Sequence, residues 1–192
     1  DIVPSSNIVG NTFTVMVPTL TMAVAATPVA QTFIQGSSID AMGMTLTAGT
    51  GGDAKVNTIK VSGFVDPLAN GGATKGCGVE GGETKYMTDI VMTGSLWNGS
   101  TQLGAIKSPT SSTALCAAND GGEMTFDNLN LVVPAGTSMT VILKVNLANN
   151  IANLGDIIRF DVTAAADVSA TDADGNGIVA PQLTAFPVTG PL

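Results

Sequence analysis

The stretch "SMTVILKVNL", Ser138–Leu147, decides the fold class. Met139, Val141, Leu143, Val145 and Leu147 fall on one side of a period-two repeat, and Thr140, Lys144 and Asn146 fall on the other. A helix would scatter these residues around its circumference, whereas a strand sends successive side chains to opposite faces, so the pattern reads as a strand with one face on a core. The same logic holds in "DIIRFDVTA", Asp156–Ala164, with Ile158, Phe160 and Val162 inward and Arg159, Asp161 and Thr163 outward. Further strands are expected over Ile39 to Ala48, Val56 to Val65, Tyr86 to Leu96, Met124 to Val133 and Ile178 to Phe186. Turn sequences such as "GTGGD", "NDGG", "PAG" and "DGNG" separate them. No helix of ordinary length is expected; "LANNIANLG", Leu147 to Gly155, allows one or two turns at most. Short strands rich in Thr, Val and Ile, joined by Gly and Pro turns, predict an all-β sandwich.

The 192 residues suit one domain with a core of its own. Only 11% of them are charged, against roughly a quarter in an average globular domain. So sparse a charge leaves the surface poorly protected against self-association, and a controlled partner surface is expected. The net charge is -8 with only seven Lys and Arg, which argues against nucleic acid or an anionic membrane as partner, because both need clustered basic residues. No uninterrupted apolar run reaches the roughly 18 residues of a membrane span. A start at Asp1 rather than Met reads as processing or excision, and an export signal, if the protein has one, is expected to be gone already.

Two segments exceed what a minimal sandwich needs, residues 66–85 and 107–122, and each carries one cysteine, Cys77 and Cys116. Cysteines in Gly- and Ser-rich loops of a low-charge chain predict a disulfide that staples the two loops and an oxidising, extracytoplasmic compartment.

The charge-free stretch "NTFTVMVPTLTMAVAA", Asn11 to Ala26, changes parity at Pro18. Phe13, Val15 and Val17 are apolar at odd positions, and Leu20, Met22 and Val24 at even ones. A one-residue slip flips every side chain of a strand, so a bend at Pro18 is expected, with the two halves presented to different surfaces. This divides the chain into an N-terminal arm, residues 1–26, and a sandwich, residues 27–192. Phe13, Val15, Val17, Leu20 and Met22 are the expected contacts of a subunit joint; the alternative is that the arm is simply this subunit's own first strand.

Other positions suggest sites. "DADGNG" spaces Asp172, Asp174 and Asn176 as in the first half of a calcium loop, with Asp167 as a further oxygen donor, although the position of the closing Glu holds Leu183. A polar hairpin turn explains the same residues without Ca²⁺. Asn98 heads the glycosylation acceptor "NGS", which also reads as a hairpin turn after Trp97. Trp97 alone makes no aromatic strip for sugar stacking. The chain has no histidine and no nucleophile or phosphate-loop motif, and the pair Glu80 and Glu83 lies in a Gly-rich stretch; the expectation is that it is not an enzyme.

Four segments in series, "PVAQTFIQGSSIDAMGMTLTAG", "VNTIKVSGFV", "LWNGSTQLG" and "FDNLNLVVPAGTSMTVILKVNL", resemble the Ig-like β-sandwich modules of prokaryotic surface proteins. The likeness covers about residues 28–164 apart from the two cysteine loops, which depart from the pattern. It implies a structural unit of an adhesin, surface layer or extracellular filament. In filaments of this kind the N-terminal segment commonly completes the next subunit's sandwich by donor-strand complementation. The expected function is therefore a pilus-like homopolymer subunit at the cell surface. The alternative is a monomeric adhesin or carbohydrate-binding module of a larger surface protein, with glycans as partner.

Overall fold

Alternation becomes structure first in β1 (Leu20–Val24), whose Leu20 and Met22 are buried, and in β2 (Ser38–Ala48), which buries Met42, Met44, Leu46 and Ala48. The computed structural model describes residues 10–11, 16–66, 73–80, 83–112, 116, 120–149, 156–178 and 186–191. After β2 come β3 (Ala54–Asp66), the short β4 (Thr74–Lys75) and a hairpin of β5 (Cys77–Glu80) with β6 (Glu83–Tyr86). A single helical turn, α1 (Met87–Ile90), leads into the hairpin of β7 (Val91–Asn98) and β8 (Thr101–Lys107). The remainder is β9 (Glu123–Phe126), β10 (Leu131–Val133), β11 (Ser138–Leu147), β12 (Ile157–Val162), β13 (Val168–Thr171), β14 (Gly177–Ile178) and β15 (Val188–Thr189).

These strands make two main sheets, all antiparallel. One has the order β1-β2-β11-β7-β8; the other runs β14-β13-β3-β12-β15, with β4, β9 and β10 also paired to β3. β3 is the spine of the second sheet. Its 13 residues carry β12 and β13 along one edge and β4, β9 and β10 along the other. One apolar cluster fills the space between the sheets, with Phe126, Phe160, Met44, Leu46, Ile59 and Leu143 among its fully buried members. The sheets approach closely enough that a Cβ on Gly94 of β7 would lie 2.6 Å from the Met124 sulfur of β9. The fold is all-β and sandwich-like, as the period-two pattern predicts.

Four expectations need correction in detail, and a fifth falls largely outside the described residues. The strand expected from Tyr86 to Leu96 is interrupted by α1, because the Asp89 carboxylate accepts the Tyr86 N–H at 3.2 Å and caps a turn. Met124 to Val133 is two strands, broken where Asn128 and Asn130 take left-handed conformations (φ 55 and 49) that asparagine tolerates better than most residues. Residues 66–85 are not simply a loop, since they contain β4, β5 and most of β6. Asp161, expected on the solvent side, is only 2% exposed. Burial pushes its carboxyl pKa up, against the Arg159 guanidinium that approaches to 3.1 Å. Of the strand expected from Ile178 to Phe186, β14 takes only the first residue, and residues 179–185 lie outside the described residues.

Candidate assembly site

The N-terminal arm divides at Pro18, where its parity changes. Phe13 and Val15 lie outside the described residues; Val17 is 71% exposed. Leu20 and Met22, expected at a subunit joint, are instead part of this chain's own core, because β1 pairs with β2 in the register Leu20↔Ala48 to Val24↔Met44. The sandwich therefore begins just after Pro18 rather than at residue 27. A Cβ on Gly51 would come within 2.5 Å of the Val17 carbonyl, so the turn after β2 is held small where the arm passes it.

β1 covers less than half of β2. Its last ladder partner is Met44, followed by one bond from the Ala25 N–H to the Gly43 carbonyl at 2.9 Å. Over Ser38–Met42 the edge of β2 away from β11 has no strand partner among the described residues. Across the sandwich, β15 meets β12, among the described residues, at Asp161 and Val162 alone, with one further bond from the Gly190 N–H to the Phe160 carbonyl at 2.9 Å. Two part-open sheet edges thus face one hollow. It is a half-open hollow of 610 Å³ whose apolar lining includes Ile39, Ala41, Ile90, Leu147, Ile158 and Phe160. Residues 29–35 cross it as a strap without regular structure, and a second hollow of 730 Å³ borders the same strap towards Ile142.

Arm and groove sit at opposite ends of β2. The arm joins the sheet beyond Ala48, where the Gly49 N–H meets the Thr19 carbonyl at 2.9 Å, while the groove lies along Ser38–Met42. About 20 Å of strand separates them.

The disulfide forms as expected. Cys77 and Cys116 are joined, with Cα atoms 5.5 Å apart at a sequence separation of 39. Cys77 sits fully buried on β5 rather than in a loop. Beside it a Cβ on Gly76, whose φ is +74, would fall 2.0 Å from the Asp120 carbonyl, so the two inserted segments pack backbone to backbone.

Next to this staple a chain of charges ties four elements together. Glu123 of β9 meets Lys75 at 2.5 Å and Lys60 at 3.6 Å, and Lys60 meets Asp167 at 2.9 Å. Burial works to raise the Asp167 pKa, yet hydrogen bonds from Thr163, Lys60 and the Ala164 N–H outweigh it and hold the carboxyl below its ordinary value. Glu123 is also lowered, chiefly by its Lys75 hydrogen bond, and Lys60 is raised, chiefly by Asp167. A carboxylate lowered in the folded state stabilises above its unfolded pKa, about 4, and that stability is lost as pH falls through the folded pKa. The Lys60 contribution is in place at neutral pH and fades only above the ordinary lysine value, about 10.4. Melting temperature should therefore fall on acidification below about pH 4, and Asp167→Asn should shrink that fall; an unaltered acid limb would contradict the assignment.

The "DADGNG" turn joins β13 to β14. Asp172 Oδ1 accepts the N–H groups of Asp174 (2.9 Å) and Asn176 (2.8 Å), and Oδ2 accepts the Asn176 side-chain amide (3.1 Å). The carboxylate is thus spent on its own loop, while Asp167 is committed to Lys60 and Thr163. These bonds are those of a polar hairpin turn, the reading the sequence allows without Ca²⁺; among the described residues no group of three or more Asp, Glu, His or Cys side chains is placed to hold a metal ion. Asn98 ends β7 at a hairpin turn whose Gly99 has φ +58. Trp97 donates its ring N–H to Ser95 at 2.9 Å and lies 5.8 Å from the Lys144 ammonium, itself bound to Asp40. Glu80 and Glu83 face each other in the β5–β6 register. No helix among the described residues is long and apolar enough to cross a membrane, which says nothing of a β-barrel.

No protein-family model and no curated protein sequence matches the chain. A solved structure titled "AvmM Catalyzes Macrocyclization in Alchivemycin A Biosynthesis" is similar to it at 12% identity, covering 89% of this chain and 83% of that one, with a TM-score of 0.38. That title names a catalyst, so the exclusion of catalysis drawn from the missing histidine is withdrawn. At this distance the likeness carries no activity over to the chain.

Proposed function

We propose that the chain is the structural subunit of an extracellular filament, an Ig-like module that polymerises head to tail as its N-terminal arm completes the sandwich of the next copy. The observation that carries this reading is the edge of β2 over Ser38–Met42, which has no strand partner among the described residues, beside an apolar hollow and at the opposite end of the strand from the arm. An open edge over an apolar groove calls for a strand that satisfies backbone and side-chain needs together. Donor and acceptor on opposite ends give a heterologous contact that does not close on itself, and such a contact propagates as a fibre. Phe13, Val15 and Val17 would each contribute roughly 1.5 to 3 kcal/mol on burial, before ordering costs. The disulfide supports an oxidising location outside the cytoplasm.

Assembly of this kind rests on apolar burial and backbone pairing, so it should resist screening of charges. Sedimentation of the polymer in 0.1 M and 1 M NaCl tests this. Equal amounts of sedimenting material are expected; dissolution in 1 M NaCl would mean that ion pairs, not an inserted strand, join the subunits.

A further inference from the structure

Resting on that reading, we infer that residues 29–35 are a placeholder: the strap lies loosely over the acceptor groove of the free subunit and is displaced when residues 11–17 of a second copy enter. Three observations separate the strap from a true strand. First, the flanking backbone bonds run from the Ala25 N–H to Gly43 and from the Gly36 N–H to Ala148, both at 2.9 Å. Among the described residues no backbone-to-backbone bond joins residues 29–34 to β2; the Ile34 carbonyl accepts the Ser37 N–H locally, and Gln35 makes an interaction of its own. The strap therefore leaves the edge of β2 without a ladder.

Second, the strap does not fill the space it covers. The 610 Å³ hollow that the strap helps to line stands half open to solvent. Val29 and Phe33 line it but remain 59% and 38% exposed, and Ile34 is 79% exposed.

Third, the apolar positions of the strap have the wrong spacing. In "VAQTFIQ" they fall at Val29, Phe33 and Ile34, apart from the small Ala30, so no row of large side chains forms at period two. In "NTFTVMV" Phe13, Val15 and Val17 do form such a row. The arm that fits must come from a second copy. The chain's own arm enters at the far end of β2, so to reach the groove it would have to reverse at Pro18 and run back past the whole of β1. That return consumes roughly seven or eight residues at strand rise, and leaves only the first nine or so, which lack the alternating set, to fill the groove.

A placeholder sets a cost on binding, since the competent groove is only a fraction of the free population and apparent affinity falls by that fraction. The test uses the full chain made incompetent as donor, Phe13→Ser/Val15→Ser/Val17→Ser, and a fluorescent peptide of residues 9–19. With the strap intact, the observed binding rate should level off as peptide concentration rises. With Val29→Ser/Phe33→Ser added, the plateau should rise at least tenfold and the affinity tighten. Equal or slower binding to the strap variant would overturn the placeholder while leaving strand donation standing. Binding to neither chain would overturn both. Hydrogen exchange on the chain with the intact strap supplies a readout that needs no strap variant. Bound peptide should protect amides of residues 38–42 and release those of 29–35, and protection of the former with no change in the latter would again overturn the placeholder.

Discussion

On the strand-donation reading, removal of residues 1–17 should leave a folded monomer that does not polymerise yet still binds the missing segment as a separate peptide. The expectation follows from the division at Pro18. Everything after it, from Leu20 onward, is built into the chain's own sheet, whereas Val17 stands exposed. Within the arm, Phe13→Ser should remove roughly 1.5 to 3 kcal/mol of joint stability, which raises the concentration needed for assembly about ten- to a hundredfold. Leu20→Ser behaves differently, because Leu20 is 0% exposed in the subunit core. It should cost the monomer on the order of 2 to 5 kcal/mol of folding stability. Sedimentation velocity reads the first effect and denaturant unfolding the second. Loss of assembly without loss of fold from Leu20→Ser would mean that the joint extends past Pro18.

The other large effect is expected from Cys77→Ser/Cys116→Ser. Closing a loop whose ends have a sequence separation of 39 removes denatured-state entropy equivalent to about 4 kcal/mol in the chain-entropy model. That is a large share of the roughly 5 to 15 kcal/mol by which a domain is stable. The loss should appear as a lower midpoint in guanidinium chloride, and an unchanged midpoint would show that the close packing of Gly76 against Asp120 holds the inserted segments without the bond. The β5–β6 hairpin that carries Cys77 leads directly into α1, whose Ile90 forms part of the groove lining. The double variant should therefore also bind the arm peptide more weakly.

Period two made β2, β3 and β11 legible, since each buries a repeating apolar face, and the parity change at Pro18 marked where exposure gives way to burial. The two cysteines announced their bond through their loop contexts. What escaped the sequence depends on pairing. β3 serves five partners, which its own residues do not state. The groove arises from a mismatch of lengths, β1 having five residues against eleven in β2, and neither strand alone records which part of the longer one stays uncovered. Asp161 was misplaced because alternation gives a face but not what packs over it; here desolvation and Arg159 define its surroundings. The spacing at Asp172 left two readings open for a related reason. The oxygens that would hold an ion also satisfy the N–H groups of a tight turn, and the turn uses them.

Electron microscopy of the purified protein over a rising concentration series, without crosslinker, bears most directly on strand donation as the basis of assembly. Uniform thin filaments are the predicted result, and they should be absent from the chain lacking residues 1–17. Separate globules at every concentration of the intact protein would contradict the account.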